Sequence, residues 1–157
     1  MERAKLRDYC LSDTHPRGRH KARVQPSSYS TASPDVEVRR ATDSDRERLS
    51  SLITSEFGER WARGTAVAYE RDPVSAFVAI RTGDVIGFAF YDIAFRAYFG
   101  AMGVREADRG GGIGACLLVA ALKDMALKGY AYAVIGDVGP IDFYKKVCGA
   151  IVIDTSK

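Results

Sequence analysis

The residues best placed to do chemistry are Arg109-Gly110-Gly111-Gly112-Ile113-Gly114, where an apolar run ends in glycines that lead into an apolar helix. The first N–H groups of a helix have no intrahelical partner and sit at the positive end of its dipole. Glycines let that backbone come close to an anion and reach positive φ at little cost. The pattern therefore predicts a cradle for a diphosphate, with Arg109 adding a charge-assisted contact. A plain turn before a core helix would need fewer than four glycines in five positions. The other chemistry is defined by what is missing: the only histidines are His15 and His20, both near the start of the chain. Catalysis by a serine or cysteine with a histidine base is excluded from the rest of the chain, as is an HExxH zinc site.

Two phosphate ligands can be weighed from the motif alone. No Gly-Lys-Ser/Thr follows the glycines, so a nucleoside-triphosphate loop fails. A dinucleotide fingerprint would use Gly112-Ile113-Gly114 with Asp137 on the ribose, but Leu117 stands where its third glycine belongs and no βαβ series follows. A dinucleotide-binding enzyme stays open only as a remote alternative.

Composition sets the frame for these residues. The chain has 157 residues, 46% hydrophobic and 27% charged, the values of one globular domain. The longest apolar run, Ala115 to Leu122, is far too short to span a membrane, and no membrane partner is expected. The formal charge of +3 is unevenly placed. Residues 1–34 carry seven Lys/Arg against three Asp/Glu, and the remainder is close to neutral, so charge gives no support to nucleic-acid binding. Cys10, Cys116 and Cys148 are widely spaced, which suits a reducing, cytoplasmic compartment and argues against structural metal.

The elements that must position the loop follow from periodicity. Residues 1–34 show no helical or strand period and end in a Ser/Pro-rich run, which predicts a disordered basic leader or linker ahead of a domain over 35–157. Val36 to Arg40 alternates as a strand. A helix starts near Thr42–Asp45 with Leu49, Leu52, Ile53 and Phe57 on one face, and a second starts near Glu59 and breaks at Gly64. Ala76–Ile80 and Val85–Tyr91 form a hairpin, and Phe95–Val104 another strand. The second half reads as a helix from Ile113 to Lys128, a strand over Tyr130–Ile135, a short helix over Ile141–Val147 and a last strand over Ala150–Ile153. The fold class is mixed α/β.

With the glycine loop, Met102-Gly103-Val104 before it and Phe143-Tyr144-Lys145-Lys146-Val147-Cys148-Gly149-Ala150 after it, the chain resembles the GNAT superfamily of acetyl-CoA-dependent N-acetyltransferases. The loop is similar to that family's R/Q-x-x-G-x-G/A, and the second motif to its C-terminal F/L-Y-x-x-x-G-F/A; Val38 to Asp45 resembles its first strand and helix start. The resemblance covers about residues 35–153 and implies a central mixed sheet of about six strands flanked by about four helices.

It also implies a function: transfer of an acetyl group from acetyl-CoA to a primary amine by direct attack in a ternary complex, without a metal. Met102, Gly103, Val104, Arg109, Gly110, Gly111, Gly112, Ile113, Gly114 and Ala115 would hold acetyl-CoA, with the Val104 N–H on the thioester oxyanion. Tyr144 would protonate the leaving thiolate. Asp137, where many members have an asparagine, is open between base, CoA ligand and solvated turn, with Glu106 and Tyr91 as weaker candidates for the base. Trp61 and Tyr69 fall in the family's acceptor-covering region. A non-catalytic acyl-CoA-binding or sensing module is the alternative from another class. The family's seventh strand, between its fifth and sixth, has no counterpart after Gly149, where eight residues remain. Its absence would leave a sheet edge for a homodimer or a strand-donating partner.

Overall fold

A computed structural model describes residues 2–5, 33–136 and 139–153. It contains one seven-stranded sheet in the order β2 (Val36–Arg40), β3 (Ala76–Arg81), β4 (Asp84–Tyr91), β5 (Tyr98–Val104), β6 (Tyr132–Ile135), β1 (Glu2–Lys5) and β7 (Ile151–Val152). Strands β2 (Val36–Arg40), β3 (Ala76–Arg81), β4 (Asp84–Tyr91) and β5 (Tyr98–Val104) form an antiparallel meander. Strand β6 (Tyr132–Ile135) then pairs parallel to β5. The family's arrangement of a mixed sheet with flanking helices is present.

Two helices cover one face. Helix α1 (Arg46–Phe57) and α2 (Glu59–Tyr69) set Leu49, Leu52, Ile53 and Ala68 against Val78, Phe88 and Phe90. Leu49 and Ile53 are fully buried, each worth about 1.5–3 kcal/mol of transfer free energy. Gly64 does not break α2. A Cβ there would meet Ile93 Cδ1 at 2.9 Å and Phe90 at 3.3 Å, so the glycine serves a close approach of α2 to these side chains, at the helix-propensity cost of a mid-helix glycine.

The other face carries α3 (Ile113–Leu127) and α4 (Ile141–Cys148). Helix α3 is apolar nearly all round because it packs between the sheet and α4; Leu117, Leu118, Ala121, Leu122 and Met125 are fully buried. Cys116 and Cys148 are buried too, and burial pushes the Cys116 thiol up. Strand β5 begins at Tyr98 rather than Phe95. Residues 92–97 make a loop closed by the Asp92 carboxylate, which accepts from the Ala97 N–H at 2.7 Å and the Tyr130 hydroxyl at 2.7 Å.

Within the expected leader, residues 2–5 form a strand. Strand β1 (Glu2–Lys5) enters the sheet between β6 and β7 (Ile151–Val152), antiparallel to both, with Arg3 opposite Val134 and Ile151. The seventh strand is therefore present, supplied by the beginning of the chain. Glu-Arg-Ala-Lys has no strand pattern, but ladder bonds come from the backbone and need none. The rest of the leader, 6–32, lies outside the described residues.

Candidate active site

Strand β5 and the loop after it build the site. Arg105 donates its N–H to Ile86 O at 2.8 Å. Hydrogen-bonded pairs alternate along an antiparallel ladder, so Gly103 turns its backbone groups to Phe88, while Met102 and Val104 turn theirs away from β4. On that side β6 pairs only with Tyr98 and Phe99 and then diverges. The fork leaves the backbone of Met102 and Val104 facing the gap; the Val104 carbonyl accepts Arg109 Nε at 3.0 Å, and the Val104 N–H points the same way.

After Val104 a 3-10 turn over Glu106–Asp108 is pinned by the Asp108 carboxylate, buried between Arg81, with which it pairs, and Arg105 Nε at 2.5 Å. The anchored turn delivers the glycines. Gly110 and Gly112 have φ of +93° and +75°, the left-handed region where glycine carries no Cβ penalty. Gly112 caps α3, whose first internal bond runs from Cys116 N to Gly112 O at 3.1 Å. The N–H groups of Ile113, Gly114 and Ala115 precede that bond and are available to an anion.

These residues surround one cavity of about 580 Å³. Every residue expected to bind acetyl-CoA lines it except Gly111. Three further residues line it, Phe57, Pro140 and Phe143. Phe143 belongs to α4 and Phe57 to α1, on opposite faces of the sheet. The cavity is therefore lined from both faces of the sheet, beside the β5–β6 fork. Its described lining carries one charged side chain, Arg109, and is otherwise backbone and apolar surface.

Tyr144 is buried in the middle of α4, its ring edge-on to Phe99 at 6.4 Å and to Phe143 at 5.1 Å, and it is not among the residues that line the cavity. Phe99 is the last β5 residue paired with β6, which puts the phenol ring at the fork. Asp137 lies outside the described residues. Tyr91 does not reach the cavity. It is fully buried, with its hydroxyl bonded to Asp124 and receiving Lys128 Nζ at 2.5 Å, and burial raises its pKa far above the ordinary phenol value. Tyr69 donates to Thr42 O at 2.7 Å and is pushed up to about 12 by burial. Its place is beside the start of α1. Trp61 stacks on Phe57, with ring centres 5.5 Å apart and planes at 11°.

The profile of the Acetyltransferase (GNAT) family matches residues 46–150, two thirds of the chain, and the chain belongs to that family. Among solved structures it is similar to a GCN5-related glucosamine N-acetyltransferase region of a fungal multi-domain β-N-acetylglucosaminidase, with a TM-score of 0.72 and 17% identity over 96% of this chain and 19% of that one. A GCN5-related N-acetyltransferase from Sphaerobacter thermophilus gives 0.65 and 20% over 83% of this chain and 45% of that one. A GNAT family N-acetyltransferase from Escherichia coli in complex with CoA gives 0.60 and 21% over 72% and 67%. The chain thus spans less than half of the first two. No curated protein matches it. Among the described residues no helix is long and apolar enough to cross a membrane.

Proposed function

We propose that the chain is an N-acetyltransferase that moves an acetyl group from acetyl-CoA to a primary amine by direct attack in a ternary complex, acting in the cytoplasm. The observation that carries this reading is the cavity lined by the N-terminus of α3, by β5 beyond its pairing with β6, and by Phe57 and Phe143 from the helix layers on the two faces of the sheet. One face can then admit the thioester and the other the amine. The diphosphate lies on the N–H groups of Ile113, Gly114 and Ala115 with Arg109 alongside, and the pantetheine arm pairs with the Met102 and Val104 backbone. The amine nitrogen forms a bond to the carbonyl carbon, and the Val104 N–H holds the resulting oxyanion. The C–S bond then breaks, Tyr144 donates a proton to the CoA sulfur, and the amine proton leaves to water or to Asp137.

The apolar lining favours a second reading as well. Among the described residues no carboxylate or imidazole lines the cavity, which suits a module that binds an acyl-CoA without turning it over. One experiment separates the two. Release of free thiol from acetyl-CoA across a broad amine panel supports the transferase, while tight CoA binding without release supports the binding module. A protein that CoA does not stabilise against heat, or that NADH stabilises instead, would falsify both.

A further inference from the structure

The ring of Phe57 lies so close to β5 that a Cβ at position 103 would be 2.5 Å from its Cζ and 2.7 Å from its Cε1. No side chain longer than glycine's fits between them. The ring is held from two other sides: Trp61 stacks on it at 5.5 Å, and Phe88 meets it edge-on at 5.4 Å. Phe57 also lines the cavity, next to Gly103. Successive strand residues stand about 3.3 Å apart, so the ring beside Gly103 lies within one residue of both Val104 and Met102, against any acyl chain that comes from the α3 N-terminus along that stretch. A ring packed against Gly103, Phe88 and Trp61 resists a rotamer change, and close-packed walls transmit even one added methylene as a clash.

We propose that Phe57 is the specificity-determining residue for the acyl group, a fixed wall that admits acetyl and turns away longer chains, with Trp61 as the residue that positions it. The proposal rests on the acyl-CoA reading of the cavity and assigns the selectivity to the α1–α2 junction rather than to the loop that holds the phosphates.

The test is equilibrium binding by calorimetry, which needs no acceptor. Acetyl-, propionyl- and butyryl-CoA are measured on the whole chain, each affinity taken relative to that protein's own affinity for free CoA. The unaltered chain should favour acetyl over butyryl by roughly tenfold or more, the discrimination typical of misfitting methylenes in a tight pocket. Phe57→Ala should erase most of that ratio, and Trp61→Ala should lower it by a smaller factor. Phe57→Leu, which keeps bulk in the core, gives an intermediate ratio and serves if the alanine variant fails to fold. An unaltered chain that binds all three esters alike, or variants that keep the original ratio, overturns the proposal. Failure to bind free CoA at all would instead strike the acyl-CoA reading beneath it.

Discussion

The ring of Tyr144 stands edge-on to Phe99, with centroids 6.4 Å apart and planes at 71°, at the last residue where β5 still pairs with β6. In the proposed reaction its hydroxyl gives a proton to the departing thiolate. Tyr144→Phe keeps the ring that packs on Phe99 and removes only the hydroxyl. Turnover measured by thiol release should fall roughly 100-fold, the lower range for loss of a general acid, with CoA affinity within about twofold. Unchanged turnover would take Tyr144 out of the chemistry.

The loop offers a test of binding apart from catalysis. A Cβ at Gly112 would touch nothing within 4 Å, yet the residue sits at φ +75°. Gly112→Ala is therefore charged only with backbone strain, about 1–2 kcal/mol for an L-residue in the left-handed region. Arg109 spends its Nε on the Val104 carbonyl, and its remaining N–H groups are not needed there. Arg109→Ala should weaken CoA binding about tenfold, the scale of one charge-assisted hydrogen bond, and the loss should shrink as salt rises. Calorimetry at two ionic strengths reads both effects; an Arg109→Ala variant with full affinity would place the phosphates elsewhere.

What could be read from the chain alone divides along a physical line. The glycine loop was legible because an anion site at a helix N-terminus is built from consecutive residues, and the hairpin and α3 because their periodicity is local. Phe57 was visible only as one member of the apolar face of α1. Its contact with Gly103 spans the distance from helix to strand, though a bulky ring just before Gly58 and a glycine inside the strand were the two halves of that signal. Gly64 looked like a break because its cost is local and its reason, Ile93 and Phe90, is not. Strand β1 was invisible because backbone pairing leaves no mark on side-chain type.

A buried carboxylate fixes the start of α1 and gives the fold a defined response to acid. Asp45 is fully buried and accepts from Arg39 Nη1 at 2.6 Å and from the Thr42 N–H and hydroxyl, each at 2.8 Å. The Arg39 guanidinium, ahead of the Thr42 bonds, holds this carboxyl far below the usual carboxylate range. A depressed folded-state pKa contributes stability that is complete above the unfolded value, about 3.9, and is lost as pH falls through the folded one. Asp45→Asn carries no charge in either state. The gap between the two proteins in urea unfolding should be about 2 kcal/mol at pH 7 and should narrow steadily below about pH 4. A gap that stays constant to pH 3 would mean that the charge contributes nothing.

The last prediction concerns the strand at the start of the chain. Glu2–Lys5 pairs with all four residues of β6 and both residues of β7, and among the described residues β7 has no other strand partner. Without β1, the far side of β6 loses its ladder and β7 has nothing to join. Ile151 and Val152 are already half exposed, so burial of their own side chains cannot hold them. Each lost backbone bond costs about 1 kcal/mol net, so deleting residues 1–5 should destabilise the domain by roughly 2–4 kcal/mol. Hydrogen exchange should locate the loss, with protection falling at Ala133 to Ile135 and at Ile151 while α1 and the β2–β4 meander keep theirs. If protection at β6 survives the deletion, the slot between β6 and β7 does not depend on this strand.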